Sequence, residues 1–122
     1  SEMSQLLSKT SVVIEKWDGK CAVSKTDILP ILIASHIVPW SECNDNERLD
    51  VDNGILLSPL YDALFDKYLI SFGATGRIII SSKMTRKNLE RLELSPDITI
   101  TISKGMLPYL ERHREKMVRA CP

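Results

Sequence analysis

The stretch from Ala34 to Trp40 constrains the fold of this chain more than any other segment. It places His36 at the end of an apolar, β-branched run, and the pair Asn53-Gly54 follows after a polar loop. Such a run favours a buried strand, and an Asn-Gly pair is typical of a turn. A lone histidine at the end of a strand is more often structural than catalytic. Its interpretation therefore depends on the residues that accompany it.

Two carboxylates follow downstream. Asp62 and Asp66 stand four residues apart in a segment that favours a helix from Pro59 to about Lys67, with Ser58 as its N-cap. Residues at this spacing project from one helix face, about 6 Å apart. Like charges so placed are either solvated or share a cation, and carboxylate oxygens suit Mg²⁺ or Mn²⁺. The sequence leaves both alternatives open.

Along the whole chain, the order of signals is helix, strand, strand, helix, hairpin, helix, strand, helix, without an internal repeat. This order predicts an α+β fold rather than an alternating parallel sheet. The predicted elements are a helix over residues 4–17, a strand over 31–36, a polar loop over 40–52, a strand over 55–57, a helix from 59 to about 67, a hairpin of 69–72 and 77–80, a short helix over 85–92, a strand over 98–102 and a last helix after residue 105.

Length, charge and cysteines narrow the class of protein. A chain of 122 residues predicts a single domain, and 16 basic against 16 acidic residues leave no net charge. Neutrality argues against a stand-alone tight DNA binder, because phosphate neutralisation supplies most non-specific affinity. No membrane-length apolar run or signal peptide is visible, so we expect a cytoplasmic protein. Cys21, Cys43 and Cys121 form no Cys-x-x-Cys pair, which disfavours a structural zinc domain and indicates reduced thiols.

Taken together, these segments resemble the HNH endonuclease family, in its restriction-type subgroup. The resemblance spans about Trp17 to Arg114, most of the chain. It implies a ββα-metal (His-Me finger) core over about residues 20–72, with an additional β-hairpin and flanking helices. The matching segments are 17–24, 34–40, 48–58, 64–67 and 69–72, with 109–115 resembling the family's C-terminal helix.

The resemblance also implies a role for each matching residue and one divalent metal ion, Mg²⁺ or Mn²⁺. His36 stands where the family has its general base, and Asn53 where an asparagine braces the loop that holds this histidine. Asp62 takes the place of the final metal ligand, and Asp66 that of a further ligand on the same helix. The chain departs from the family at two of these positions. The last histidine of the name is Asp62 here, and Ser35 stands where many relatives have an aspartate or histidine ligand.

The function implied is hydrolysis of DNA by a nuclease domain of a restriction or antiphage-defence protein. We expect the chain to be the C-terminal part of a longer protein whose missing part recognises the substrate or a signal. The rival interpretation is an inactive nucleic-acid-binding module that retains the fold, and RNA as substrate and homo-oligomerisation stay open. Six basic side chains are candidates for contacts with nucleic acid, although most such residues are simply solvated: Arg48, Lys67, Arg86, Lys87, His113 and Arg114.

Overall fold

The computed structural model describes residues 2–120, and side chains between residues 8 and 118. Cys121 lies outside the described residues. The chain divides into two compact units, the first ending at Asp62 and the second beginning at Ala63. Helices and two-stranded antiparallel sheets together make an α+β fold, as predicted. No described helix combines the length and apolar character that crossing a bilayer would require.

The first unit is built on a pair of antiparallel strands. Strand β1 (Ile33–His36) pairs with β2 (Gly54–Leu57) in a register that places His36 opposite Gly54. All four residues of β2 are buried. The unit also contains the helices α1 (Glu2–Lys16) and α2 (Asp45–Leu49), the beginning of α3 (Pro59–Asp66), and short 3-10 turns at Leu29–Ile31, Trp40–Glu42 and Val51–Asn53.

Helix α1 packs closely against the start of β2. A Cβ atom added to Gly54 would lie 2.6 Å from Val13 Cγ2, a distance at which the valine would have to move. Val13 is itself 1% exposed. A glycine is therefore needed where the helix and the strand approach each other.

Two expectations for the first unit were wrong in detail. The first strand begins at Ile33 rather than residue 31, because Pro30 lies in a 3-10 turn and cannot donate to a ladder. The loop over residues 40–52 is not irregular, since it contains α2. Asn44 and Glu47 form a capping box at the start of this helix. That Asn-x-x-Glu spacing is a recognised helix-start signal, and it was the clue we missed.

The second unit contains the predicted hairpin and both predicted helices. Strand β3 (Ile70–Phe72) pairs antiparallel with β4 (Ile78–Ile80), and α4 (Arg86–Arg91) is capped by Thr85. The last helix is α5 (Leu107–Ala120).

The strand predicted over residues 98–102 reduces to a single bridge between Arg77 and Thr99. Ile78 N donates to the Ile98 carbonyl at 2.9 Å, and Ile100 N donates to the Gly76 carbonyl at 2.8 Å. Ile100 is buried. The alternating pattern therefore records one-sided burial, which a short bridged segment satisfies without a full ladder.

The turn after α3 places a tyrosine in a backbone conformation that favours glycine. Tyr68 has a φ of 59°, in the left-handed region that favours glycine. Leu69 N donates to the Leu64 carbonyl, and Tyr68 N to the Phe65 carbonyl. These bonds close the helix end, so that Tyr68 takes the conformation that a glycine would adopt more easily.

Candidate active site

His36 is the last residue of β1, and a backbone carbonyl orients its ring. Its Nε2 lies 3.2 Å from the carbonyl oxygen of Arg48. Because a carbonyl only accepts hydrogen bonds, Nε2 carries the proton, and in the neutral ring Nδ1 keeps the lone pair. Burial lowers the pKa of His36 below its usual value, and the positive charge of Lys9 lowers this pKa further. The ring is therefore neutral at pH 7, with Nδ1 as its basic atom.

The Arg48 carbonyl is held in place by the side chain of the same residue. The Arg48 guanidinium carbon lies 4.4 Å from the centroid of the Trp40 ring, and Nε donates to the Trp40 carbonyl at 3.1 Å. The His36 ring meets Trp40 edge-on, with 5.9 Å between the ring centroids. Arg48 also forms an ion pair with Asp45. Its charge is thus engaged by the Trp40 ring and by Asp45.

Asn53 ties together the backbone on both sides of the site. It is fully buried, and its Oδ1 accepts from Val38 N at 2.8 Å. Its Nδ2 donates to the Glu47 carbonyl at 3.2 Å and to Cys43 Sγ at 3.3 Å. Val38 follows His36 by two residues, so these bonds fix the segment leaving β1 against the segment containing α2.

A lysine that the sequence analysis did not single out also reaches this region. Lys9 lies on α1, is 7% exposed, and donates from Nζ to the carbonyls of Arg48 at 2.8 Å and Asn53 at 3.4 Å. Burial lowers the pKa of Lys9 to about 8. Its place four residues before Val13, on the buried stripe of the helix, was the available signal. Chain separations of 39 and 44 residues hid the partners.

Ser35 and Asp62 form the acidic part of the candidate site. The Ser35 hydroxyl donates to Asp62 Oδ1, and Asp62 is half-buried in the first turn of α3. Asp66 is exposed and falls in the second unit. Within the described residues, no three His, Cys, Asp or Glu side chains form a group that could hold a metal. Two adjacent oxygen donors nevertheless fit Mg²⁺, which usually completes its coordination with water and substrate phosphate.

His36 and the hydrogen-bonded pair of Ser35 and Asp62 lie on different faces of β1. Neighbouring residues of a strand point to opposite faces, and here Ser35 meets Asp62 while His36 meets Arg48. None of the contacts described for His36 and Asp62 joins them. A small cavity of about 20 Å³ is lined by both Ser35 and His36, together with residues of α1 and Gly54. This volume is sufficient for one water molecule.

The proposed nucleic-acid contacts in the second unit have different surroundings. A solvated side chain was expected for His113, but the residue is buried. It is 3% exposed, and its ring stacks on Phe65 with 3.8 Å between centroids. Its Nδ1 lies 2.7 Å from Ser71 Oγ and its Nε2 2.9 Å from the Phe65 carbonyl. Arg114 donates to the Phe72 carbonyl at 2.8 Å. The remaining three candidates in this unit, Lys67, Arg86 and Lys87, are exposed, and a role for them stays a prediction.

The model of the HNH endonuclease family matches residues 21–73, the stretch that contains β1, β2, α3 and the residues His36, Asn53 and Asp62. The match confirms the resemblance found in the sequence over that stretch. Lys9 and the rest of α1 precede it. No curated protein matches the chain.

Proposed function

We propose that this chain, whose residues 21–73 match the HNH endonuclease family, is a divalent-metal-dependent endonuclease domain that hydrolyses DNA phosphodiester bonds. The observation that supports this most directly is the orientation of His36. Its Nε2 is held by the Arg48 carbonyl, so that Nδ1 of a neutral ring can act as a base. The order of elements along the chain, an antiparallel strand pair β1 and β2 followed by helix α3, also supports the proposal.

In the proposed reaction His36 takes the proton from the attacking water. The bond from the water oxygen to phosphorus forms as the bond to the leaving 3′-oxygen breaks, and the proton moves to Nδ1 of His36. Its Nε2–H bond to the Arg48 carbonyl keeps the ring aimed while it becomes charged. Asn53 contributes by fixing the backbone on either side of this histidine.

Ser35 and Asp62 are the proposed metal ligands, with Asp66 as a further candidate. A bound divalent ion would neutralise charge on the phosphate and stabilise the leaving oxygen. The hydrogen bond between Ser35 and Asp62 places two oxygen donors side by side, which supports their assignment. Since Ser35 and His36 are neighbours on β1 and their side chains point to opposite faces, we propose that the phosphate lies across the end of this strand.

Cleavage of supercoiled plasmid tests the proposal. We expect nicking with Mg²⁺ or Mn²⁺, no nicking with chelator, and loss of nicking in His36→Ala. The control is Lys104→Ala, an exposed residue far along the chain from the site and not among the candidate DNA contacts, which should nick at close to the wild-type rate. A wild-type protein that fails to nick under every metal condition would contradict the proposal.

The metal assignment is tested without activity by titrating Mn²⁺ and following its electron paramagnetic resonance signal. Asp62→Asn should weaken Mn²⁺ binding by about tenfold or more, because a charged hard ligand becomes neutral. Ser35→Ala should have a smaller effect, and Asp66→Asn shows whether the exposed aspartate contributes. Equal affinity in the wild type and Asp62→Asn would remove Asp62 from the site.

The alternative is a nucleic-acid-binding module without catalysis, favoured by Ser35 and Asp62 in place of the usual ligands. It predicts retention of DNA without cleavage, unchanged in His36→Ala. A role in restriction or antiphage defence, together with a recognition domain elsewhere in a longer protein, also belongs to our proposal. The lack of net charge supports the second of these, since a neutral nuclease domain needs help in holding DNA.

A further inference from the structure

Helix α1 lies before the segment that matches the nuclease family, yet it contacts the backbone around the candidate base. Lys16 Nζ pairs with Asp52 at 2.9 Å, and Trp17 Nε1 donates to the Gly54 carbonyl at 3.3 Å. Lys9 adds its two bonds about two turns closer to the N-terminus. The helix and the residue after it therefore anchor the segment from Arg48 to Gly54 at several points.

Among these contacts, the one made by Lys9 leads directly to His36. Lys9 Nζ lies 2.8 Å from the Arg48 carbonyl oxygen, and His36 Nε2 lies 3.2 Å from the same atom. A carbonyl oxygen has two lone pairs and can accept from both groups. The ammonium and the imidazole thus meet on one backbone oxygen.

We infer that Lys9 is a positioning residue for His36, fixing through the Arg48 carbonyl which ring nitrogen carries the proton and where the other points. The inference rests on the proposed nuclease function for its catalytic consequence, but the effect on the ring itself does not depend on cleavage. It assigns a part of the site to a helix outside the stretch matched by the family.

The surroundings of Lys9 explain why a lysine suits this position. An ammonium has three donors, so one side chain can bond the carbonyls of Arg48 and Asn53 together. Burying a charged amine is unfavourable unless such bonds compensate for lost hydration. With a pKa of about 8, the amine remains largely protonated at neutral pH and keeps its donors. An apolar residue of similar shape would fill the space but leave both carbonyls with one donor fewer.

The experiment compares Lys9→Met with the wild-type chain of 122 residues. One readout is kcat and KM for metal-dependent nicking, and the other is the ¹⁵N spectrum of the His36 ring, which reports the protonated nitrogen. We expect the wild type to show the Nε2-protonated form and Lys9→Met to show a mixture. We also expect kcat to fall by about tenfold to a hundredfold with KM unchanged, the cost of a misaimed catalytic group.

Two further variants separate positioning from general stabilisation. Lys9→Arg keeps a cationic donor and should recover part of kcat and of the ring signature. Lys16→Met removes the ion pair with Asp52 on the same helix but not the bond to the Arg48 carbonyl. It should lower the melting temperature while leaving kcat and the ring spectrum as in the wild type.

Several results would overturn the inference. A Lys9→Met ring spectrum identical to that of the wild type would do so, whether or not kcat falls. If the wild type does not nick DNA, the nuclease proposal fails while the ring spectrum still decides the role of Lys9. If Lys9→Met does not fold, the test is made on the wild type instead, by recording the ¹⁵N signal of the Lys9 ammonium. A slowly exchanging ammonium coupled to the Arg48 carbonyl carbon is expected, and a rapidly exchanging one without this coupling would refute the inference.

Discussion

At the scale of single residues, the buried amide of Asn53 links two backbone segments. Its amide is completely enclosed and uses both its oxygen and its nitrogen on backbone groups. A serine or an alanine could not satisfy all of these groups, and an aspartate would bury a charge. The amide is therefore the side chain that fits between the two segments.

Asn53→Ala should lower the free energy of unfolding by about 2–4 kcal/mol, because Val38 N loses its acceptor and the amide leaves a void. Urea denaturation measures the loss. Asn44→Ala is the matched control, since Asn44 is an exposed N-cap whose removal should cost only about 1 kcal/mol. Similar losses in the two variants would mean that Asn53 does not brace the loop.

His113 makes stability depend on pH. Burial is the main cause that lowers its pKa to about 4, below the value near 6.5 expected in the unfolded chain. The stabilisation is fully present above about pH 6.5 and is lost as the pH falls towards 4, because only the unfolded chain takes up a proton in that window. At about 1.4 kcal/mol per pKa unit, the total is on the order of 3 kcal/mol.

The measurement for His113 is unfolding by urea at several pH values between 7 and 4. The variant His113→Gln should be less stable than the wild type at pH 7, since it gives up the stacking on Phe65. Its stability should also change less with pH over this range. Parallel curves for the two proteins would show that the ring titrates alike in both states.

At the scale of elements, α1 and β2 approach each other closely at Gly54. Gly54→Ala should destabilise the chain by about 1–3 kcal/mol, since the new methyl group would meet Val13 Cγ2. The double variant with Val13→Ala should be more stable than the sum of the single effects predicts, because the smaller side chain leaves room for the methyl group. Thermal unfolding of all four proteins closes the cycle, and additive effects would contradict the proposed clash.

Most elements were predictable from the sequence because each has a local signal. Helix α4 has its Thr85 cap, and the hairpin of β3 and β4 has two apolar runs around a glycine-containing turn. Helix α2 was missed because four of its five residues are polar and the single Leu49 shows no apolar period. Its capping box was the remaining signal. The segment after residue 97 was assigned to a strand because alternation reports burial of one side, which a single bridge also provides.

At the scale of the whole molecule, the balance of 16 basic and 16 acidic residues sets how the chain meets nucleic acid. We expect weak binding to DNA without divalent ions. The plot of log K against log salt concentration should be shallow, since each phosphate contact contributes a slope of only about −0.9. Fluorescence anisotropy with a labelled duplex in chelator measures both. A steep slope would reveal a concentrated basic surface. It would contradict the proposal that the domain needs a recognition domain to hold DNA.

The candidate site was predictable where spacing along the chain carries information. His36, Asn53 and Asp62 were identified from their places in short segments, whereas the roles assigned to them remain predictions. The partners of Lys9 could not be found this way, because they lie 39 and 44 residues further along the chain. The burial of His113 was masked by the charged residues beside it, Arg112 and Arg114, although the apolar Leu110 and Met117 lie on its own face of the helix. Contacts across such distances depend on tertiary packing.

The thiol of Cys43 provides a chemical probe of how often the loop around the site opens. Its thiol is 8% exposed and lies between the Asn53 amide and the Val38 carbonyl. An alkylating reagent reaches the sulfur only in molecules in which this loop has transiently opened. The ratio of its alkylation rate to that of an unprotected thiol therefore measures how often the segment beside His36 opens.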